Sequence, residues 1–488
     1  MESEVKTLKF SRLMLLSAIS GIIAGLAMPG NILPGFLMWV CIVPMIFALK
    51  HTKTLFQAAC AGWFFGFFLN GVTTAWMFVM QSLDWLGIND FLSRAAAGGT
   101  WFVISAYVGL FYALFALFSK FIFNATAPNF VKIPIIGLLY LLFTNNFLCF
   151  GDLAFPWAMI EYSQYKYISL IQICSLIKGS GLGFLIVMVN AYICMCMFPF
   201  DEKDNKFSFK PLHIITLFIF FACLFGYGKY SLGKEVTIPK LQIMVAQTNV
   251  KAKNRNHVKK LPARYVSSSQ ETKSKLIVFP EVSSIANIGV RNTDFMQALK
   301  DTALRDNKAI VAGIWDYSYG KNGEYFISNT AYLFAPSGAK KYVKAHLVPF
   351  GEFVPRWAIP KIIEELVFDK MLPNECERGK TVTVWDTPVG KVAPNICFEI
   401  LFPKILKTQV QQGADIIVNM SNPSCFESDI LKEQMYSFGV FRARENTRLL
   451  VASVNTGFSF IVAPDGRNIY TAEKNVEAFN DVDVSQFK

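Results

Sequence analysis

Seven apolar stretches in the first 230 residues constrain this chain more than any other feature of its sequence. Each approaches the roughly 20 residues that an α-helix needs to cross a hydrocarbon core of about 30 Å. The predicted spans cover residues 13–28, 32–49, 54–80, 95–119, 133–150, 181–198 and 212–228. The first half of the chain is therefore predicted to lie in a membrane.

Charge divides the chain near residue 230. Residues 1–230 hold 14 Lys or Arg and 9 Asp or Glu, about 10% of that half, whereas the remainder holds 33 and 26, about 23%. Only the second value is typical of a globular protein. We predict a transmembrane domain of about seven helices over residues 1–230 and a globular domain over residues 231–488. This division excludes a wholly soluble enzyme and a disordered chain.

Basic residues in the loops predict the orientation of the spans. Ten lie on one side, namely Lys6, Lys9, Arg12, Lys50, Lys53, Lys120, Lys132, Lys203, Lys206 and Lys210. Four lie on the other, namely Arg94, Lys166, Lys178 and Lys229. Because cytoplasmic loops are enriched in Lys and Arg, Met1 is predicted to be cytoplasmic, and an odd number of spans places the second half outside. The net charge of +12 then reflects topology, and no nucleic-acid partner is predicted.

The second half has a different pattern, in which short apolar runs alternate with polar stretches. Runs of four to eight residues rich in β-branched side chains predict buried strands separated by helices. These runs are Leu241–Val245, Leu276–Phe279, Ala309–Gly313, Asn329–Phe334, Val392–Cys397, Ile416–Asn419 and Leu449–Val454. The pattern is typical of one α/β domain of about 250 residues.

Three residues at strand ends suggest covalent catalysis. Glu281 and Cys397 each end a predicted strand, and Lys344 precedes a Pro/Gly turn. A thiol attacks a carbonyl carbon only as the thiolate, so it needs a base and a nearby cation. Glu281 fits the base, and Lys344 fits the cation that stabilises the thiolate and then the oxyanion. Each residue alone has an ordinary structural interpretation, as a helix cap, a solvated charge or a core thiol.

The motifs around these residues resemble those of the apolipoprotein N-acyltransferase family, which belongs to the nitrilase superfamily. In the second half they are Phe279-Pro280-Glu281, Lys344-x-His-Leu-Val-Pro-Phe-Gly-Glu352 and Cys397-Phe398-Glu399. In the first half they are Phe155-Pro156-Trp157 and Tyr162-Ser163-Gln164. The resemblance therefore covers almost the whole chain.

The resemblance implies a nitrilase-like αββα sandwich on the periplasmic side of a bacterial inner membrane. It implies transfer of an acyl chain from a membrane phospholipid to the α-amino group of the N-terminal S-diacylglyceryl cysteine of an apolipoprotein. The transfer would proceed through a thioester, without cofactor or metal, on an enzyme that acts as a monomer.

The resemblance also implies the roles of the site residues. Glu281 would be the general base, Lys344 would assist, and Cys397 would be the nucleophile. Four more residues would have supporting roles. Glu352 would orient Lys344, and Val348 would line the acyl path. Phe398 and Glu399 would shape the site beside the thiol. A tyrosine is more common at the position of Phe398.

Two departures from the family pattern stand out. Family members often carry Asn-Asp-Ala-Trp-Phe in a mobile lid, where this chain has Asn422-Pro-Ser-Cys425-Phe426. The closing transmembrane helix of the family is also missing, so Lys488 is predicted to stay outside. The sequence leaves open whether Cys376 and Cys425 form a disulfide.

Three other functions are compatible with parts of this pattern. A membrane-tethered carbon–nitrogen hydrolase would use the same three residues with water as the acceptor, but seven spans exceed what a tether needs. A transporter or receptor would need charges within the spans, and these are almost absent. A thiol enzyme could instead use His346 as its base, although a lone histidine in a turn is more often structural.

Overall fold

The computed structural model describes residues 9–80, 89–149, 151–197, 200–201, 206–207, 211–251, 260–282, 293–319, 325–355, 357, 361, 365 and 375–487. Met1 and Lys488, whose locations the sequence predicts, lie outside these residues. The chain forms two compact units, one of Met1–Phe78 and Ala97–Lys234 and the other of Val79–Ala96 and Glu235–Lys488.

Helices dominate the first half of the chain. They are α1 (Phe10–Leu26), α2 (Val43–His51), α3 (Leu55–Thr73), α4 (Asp90–Asn124), α5 (Asn129–Tyr140), α6 (Ile168–Ile171), α7 (Cys174–Tyr192) and α8 (Pro211–Leu232). A short antiparallel pair, β1 (Phe200–Asp201) and β2 (Lys206–Phe207), lies between α7 and α8.

Five helical segments in the described ranges are long and apolar enough to cross a membrane. They are Leu55–Thr73, Asp90–Asn124, Asn129–Cys149, Cys174–Cys196 and Pro211–Leu232. Two shorter apolar segments, Phe10–Leu26 and Gly35–His51, precede them. All seven overlap the predicted spans, and the fold class predicted for this half is confirmed.

Close backbone contacts and buried polar side chains hold the helices of the first unit together. A Cβ on Gly21 of α1 would lie 2.4 Å from the Phe65 carbonyl oxygen of α3, so only glycine allows this approach. Gln164 accepts a hydrogen bond from Trp39 Nε1 (2.9 Å) and donates one to the Gly35 carbonyl (2.6 Å). The Tyr162-Ser163-Gln164 segment is therefore packed inside this unit.

The second unit contains two six-stranded sheets within the described residues. One has the order β14-β3-β4-β5-β6-β7, with β3 (Gln242–Gln247), β4 (Leu276–Val282), β5 (Ala309–Tyr319), β6 (Tyr325–Ala335), β7 (Gly338–Val343) and β14 (Ala478–Asp483). The other has the order β13-β12-β11-β10-β9-β8, with β8 (Trp385–Thr387), β9 (Gly390–Ile396), β10 (Ile416–Ser421), β11 (Leu449–Val454), β12 (Phe460–Val462) and β13 (Asn468–Thr471).

The core lies between the two sheets because side chains of a strand alternate between its faces. Ile243 and Val245 of β3 pack in the inter-sheet core with Val392 of β9 and Val418 of β10. Met244, the residue between the first two, faces the opposite side. This alternation makes both faces of the first sheet apolar.

Helices cover the outer faces of the sandwich. On the first sheet, α9 (Leu261–Glu271) and α10 (Thr293–Asp306) contribute Tyr265 and Leu299 to an outer core cluster. On the second sheet, α11 (Pro403–Gln411) contacts β9, and α12 (Asp429–Asn446) contacts β11. The layers run helix, sheet, sheet, helix, which agrees with the predicted αββα architecture.

Candidate active site

The candidate site lies at one edge of the sandwich, where strands of both sheets end. In the first sheet β4 and β5 are parallel, and β6 and β7 follow as antiparallel neighbours, so β7 ends at the same edge as β4. In the second sheet β9 is parallel to β10. This topology brings the ends of β4, β7 and β9 together, and these ends carry Glu281, Lys344 and Cys397.

Glu281 lies at an irregularity near the end of β4. The pairing with β5 shifts register between Val278 and Glu281, as in a β-bulge that redirects a side chain. Gly313 of β5 is paired with Glu281, and a Cβ there would lie 2.7 Å from the Glu281 Cα. The Glu281 side chain is only 5% exposed and accepts a hydrogen bond from the Asn422 N–H on Oε2 (2.9 Å).

Lys344 is held between two carboxylates. Its Nζ lies 2.8 Å from Glu352 Oε1 and 3.7 Å from Glu281 Oε1. The Lys344 residue is 1% exposed, so this is a buried ion-pair network. Glu352 also accepts the Val348 N–H on Oε2 (2.8 Å). Glu352 therefore contacts Lys344 directly, and its orienting role stays a prediction.

Asn329 of β6 belongs to the site, although the sequence analysis did not identify it. Its Nδ2 donates to Glu281 Oε1 (2.6 Å) and to Glu352 Oε1 (2.7 Å). Its backbone carbonyl accepts the Lys344 N–H (2.9 Å). The one signal in the sequence was an amide inside an apolar strand, where a polar side chain needs a partner.

Cys397 is the residue directly after β9, and its backbone is in the left-handed region with φ 52°. Such a conformation costs a residue other than glycine about 1–3 kcal/mol and is concentrated at functional sites. The thiol hydrogen bonds with the Glu281 carboxylate and with the backbone of Asn422. The nucleophile and base predicted from the sequence are thus in direct contact.

Glu399 joins the Cys397 turn to the Lys344 segment. Its Oε2 accepts the Ile396 N–H (2.9 Å), and its Oε1 accepts Tyr342 Oη (2.6 Å) and the Ala345 N–H (2.7 Å). Glu399 is fully buried. Its contacts therefore fix the position of β7 relative to β9, which fits the predicted role of shaping the site.

Burial and charge determine the protonation states of the three central groups. Burial, reinforced by Glu352, raises the pKa of Glu281 above its ordinary value, although Lys344 and Asn329 oppose this. Burial and the Glu281 charge raise the pKa of the Cys397 thiol. Burial lowers the pKa of Lys344, but Glu352, Glu281 and Cys397 together outweigh it and raise that pKa. The resting site therefore pairs a neutral thiol with a basic carboxylate and a permanent cation.

The other predicted residues lie around this centre. Phe398 is buried and packs edge-to-face on Phe402, with ring centroids 5.2 Å apart. The Val348 carbonyl accepts the Glu352 N–H (2.9 Å), so Val348 holds the turn that carries Glu352. The predicted contact of Val348 with an acyl chain stays a prediction.

His346 is placed as a structural residue. Its ring stacks on Phe402 at a centroid distance of 4.1 Å. Burial, followed by the charges of Arg378 and Lys404, lowers the pKa of His346 to about 4. The thiol of Cys397 contacts Glu281 instead, so the geometry favours the carboxylate as base.

Cys376 and Cys425 are both free thiols in the structure. Cys376 is buried, and its N–H donates to the Glu352 carbonyl (2.8 Å). Burial is the main cause that raises the pKa of Cys376 to about 12, and the charge of the nearby Glu352 adds to it. Cys425 is exposed, in the loop that follows β10.

No group of three or more His, Cys, Asp or Glu in the part of the chain that the structure describes could hold a metal ion. Glu281 and Glu352 face Lys344 instead.

Comparison with known proteins assigns both halves of the chain. A family model described as carbon–nitrogen hydrolase matches residues 235–486. A second, described as the apolipoprotein N-acyltransferase N-terminal domain, matches residues 20–192.

Relatives match over nearly the full length. An apolipoprotein N-acyltransferase of Geobacter metallireducens is 25% identical over 474 residues, covering 93% of this chain and 85% of the relative. An apolipoprotein N-acyltransferase of Nitrosomonas europaea is 28% identical over 462 residues, covering 92% of this chain and 87% of the relative. A Saccharomyces cerevisiae member of branch 10 of the nitrilase superfamily superposes with a TM-score of 0.39 and 17% identity, covering 52% of this chain and 93% of that one.

A sandwich whose strand ends bring a carboxylate, a lysine and a cysteine together defines a nitrilase-type enzyme, and the chain belongs to the carbon–nitrogen hydrolase family. Its helical half extends the match beyond that family's own domain. The predicted resemblance to apolipoprotein N-acyltransferases, the membrane-embedded branch of the superfamily, is confirmed over both halves.

Proposed function

We propose that this protein transfers an acyl chain from a membrane phospholipid to the α-amino group of a diacylated apolipoprotein. The observation that carries the proposal is the presence, on one chain, of a Glu-Lys-Cys centre and of a helical half that matches the apolipoprotein N-acyltransferase N-terminal domain. An enzyme that hydrolyses a soluble substrate would need the Glu-Lys-Cys centre but not the helical half. Residues 1–230 are proposed as the membrane domain and residues 231–488 as the catalytic domain.

In the first half-reaction, Cys397 takes the acyl group. Glu281 accepts the thiol proton as sulfur attacks the ester carbonyl of the phospholipid, and Lys344 stabilises the oxyanion. The carbon–oxygen bond then breaks, and Glu281 gives the proton to the departing oxygen. The lysophospholipid leaves as a neutral alcohol. The acyl chain remains on Cys397 as a thioester.

In the second half-reaction, the amine of the lipoprotein replaces the sulfur. The neutral α-amino nitrogen attacks the thioester carbonyl, and Lys344 again stabilises the oxyanion. The carbon–sulfur bond breaks, and the proton released by the new amide returns to the Cys397 sulfur through Glu281. The burial of Glu281 and Lys344 supports a site that limits access of water to the thioester.

The proposed location follows from the membrane helices and the loop charges. The protein is a multi-pass membrane protein, and we place it in the bacterial inner membrane with residues 231–488 on the periplasmic side. The ten-to-four distribution of basic residues supports that orientation. We propose that it acts as a monomer.

The decisive experiment supplies purified protein with phospholipid alone and then with a diacylated lipopeptide. Phospholipid alone should leave one hydroxylamine-sensitive acyl group on Cys397 and release lysophospholipid. Adding the lipopeptide should discharge the enzyme and increase the mass of the peptide by one acyl chain. Cys397→Ala should abolish labelling, whereas Cys376→Ala and Cys425→Ala should retain it.

Two results would contradict the proposal. Release of free fatty acid without acylated peptide would identify the alternative, a membrane-tethered carbon–nitrogen hydrolase-like enzyme that uses water as acceptor. Labelling that depends on Cys425 and not on Cys397 would refute the assignment of the nucleophile.

A further inference from the structure

The residue after β11, Asn455, is buried and uses every hydrogen-bonding group that it has. Its Oδ1 accepts from Thr248 Oγ1 (2.7 Å) and from the Val250 N–H (2.8 Å). Its Nδ2 donates to the Val250 carbonyl (2.8 Å) and to Asn422 Oδ1 (2.8 Å). One side chain thus joins the segment after β3 in the first sheet to the loop after β10 in the second.

The backbone of Asn455 strengthens the same junction. Its N–H donates to the Ser421 carbonyl (2.9 Å), and its carbonyl accepts the Asn249 N–H (2.7 Å). Asn455 is 5% exposed and Thr248 is 2% exposed. Buried bonds of this kind are costly to leave unmade, so the junction has one defined geometry.

The loop that Asn455 holds reaches the reacting groups through a single backbone amide. The Asn422 N–H donates to Glu281 Oε2 (2.9 Å) and also hydrogen bonds with the Cys397 thiol. Asn422 has no side-chain atom in these contacts, so its position depends on what fixes the loop. The Asn455 Nδ2 bond to Asn422 Oδ1 lies on the other side of the same residue.

We propose that Asn455 is a positioning residue of the acyl-transfer site, which acts by holding the Asn422 N–H against the base and the nucleophile. The inference rests on the proposed function for its meaning in turnover. Its physical content is independent of the substrate, because a donor that contacts Glu281 and Cys397 favours their ionised forms. Without the Asn455 side chain, the loop keeps the backbone bond at Ser421 but loses the bond at Asn422, so the Asn422 N–H is no longer held against both groups.

The test measures how fast iodoacetamide alkylates Cys397 as a function of pH, with the modified peptide quantified by mass spectrometry. Alkylation needs the thiolate but neither lipid nor lipoprotein. In Asn455→Ala the profile should move to higher pH by about one unit, so the rate on its acid side falls about tenfold. The acid limb of kcat/KM for acyl transfer should move in the same direction.

Every other ionisable group that faces Glu281 is unchanged in this variant. These groups are Lys344, Glu352, Cys397, Cys376 and Cys425. A shift of the profile therefore reports the loop amide.

A second variant removes the acceptor, instead of the donor, of the hydrogen bond between Asn455 and Asn422. Asn422→Ala keeps the backbone N–H and removes the side-chain Oδ1, which accepts from Asn455 Nδ2 (2.8 Å) and more distantly from the Ser424 N–H (3.3 Å), so it should reproduce the shift. The double variant should shift no further than either single variant, because each single variant already breaks the hydrogen bond between Asn455 Nδ2 and Asn422 Oδ1. Asn422→Ala also keeps the inference testable if Asn455→Ala does not fold.

Asn395→Ala is the matched control. Asn395 is fully buried in β9, and its Nδ2 donates to Gln409 Oε1 (3.0 Å), away from the Asn422 loop. It should lower the thermal stability and leave the alkylation profile in place. An equal shift in Asn395→Ala, or no shift in the two loop variants, would overturn the inference. Absence of acyl transfer in an otherwise normal wild type would instead contradict the proposed function.

Discussion

At the scale of single residues, the site is a balance of three charges in a place from which water is largely excluded. Lys344 contacts Glu352 directly and Glu281 more distantly, so one cation serves two carboxylates. A buried carboxylate without a nearby cation is strongly destabilising. Lys344 therefore has a structural role as well as its proposed catalytic one.

Replacing Lys344 with Met should reveal both roles. The variant leaves two buried carboxylates without a cation, which we expect to cost about 3–5 kcal/mol of stability. Turnover should fall at least about 100-fold, because the oxyanion loses its stabilising charge. Thermal unfolding in detergent and acyl-transfer kinetics measure the two effects. Lys341→Met, which removes an exposed lysine paired with Asp316, is the control, and comparable losses in it would refute the argument.

Asn329 should influence how kcat/KM depends on pH. Glu281 must be ionised to accept a proton, so activity should be lost as the pH falls through its raised pKa, above the ordinary value of 4.5. The Asn329 amide lowers that pKa, so Asn329→Ala should move the acid limb of kcat/KM upward by about one unit. Asn480→Ala, which removes an exposed asparagine, should not move it. An unchanged limb in Asn329→Ala would contradict the placement of this amide.

The sequence predicted the reactive groups of the site but not the amides that support them. Glu281, Lys344 and Cys397 were predictable because reactive side chains directly beyond apolar runs are conspicuous. Asn329 was not, because its bonds reach residues 48 and 23 positions away. Asn455 contacts Thr248 across 207 positions. The first pairings depend on which strands lie side by side in one sheet, and the last depends on how the two sheets stack. Local sequence encodes neither.

At the scale of elements, the geometry of the site depends on how strands end. The register shift in β4 redirects Glu281, and the left-handed backbone of Cys397 turns the chain directly after β9. The apolar runs predicted the strands β3, β4, β5, β6, β9, β10 and β11 because these are buried. The runs did not predict β7, β8, β12, β13 or β14. In β7, exposed residues alternate with partly buried ones, because an edge strand needs little apolar surface. Strands β8 and β12 are only three residues long.

Gly313→Ala tests the dependence of the site on strand geometry. The added methyl group would lie 2.7 Å from the Glu281 Cα and 3.1 Å from the Pro280 carbonyl oxygen. The end of β4 must therefore shift, and a displacement of about 1 Å can cost about 100-fold in rate. We expect kcat to fall about 10-fold to 100-fold. Gly226→Ala in α8 is the control, because its Cβ would meet no atom within 4 Å. This variant should leave kcat unchanged. Full activity in Gly313→Ala would refute this account of β4.

At the scale of the whole molecule, seven apolar helical segments precede the sandwich in the described ranges. Composition alone predicted that division, since the charged fraction changes from about 10% to about 23% near residue 230. The lengths of the first two segments were less predictable. They are shorter than the five segments that follow.

Reporter fusions test the predicted topology. An odd number of crossings with a cytoplasmic amino terminus places everything after α8 outside the cytoplasm. Fusions at Gly233 and at Lys488 should both report an external location, and one within the loop at Lys53 should report a cytoplasmic one. A cytoplasmic signal at either of the first two positions would refute the seven-span interpretation.

The position of β14 has a consequence for how the enzyme is made. This strand pairs with β3 over six residues, from Ala478 opposite Gln247 to Asp483 opposite Gln242. Although β3 is the first strand of the sandwich in chain order, its neighbour β14 follows all the other described strands. Until β14 is made, β3 presents an unpaired edge to which other chains can add. The first sheet therefore cannot close until β14 has been synthesised.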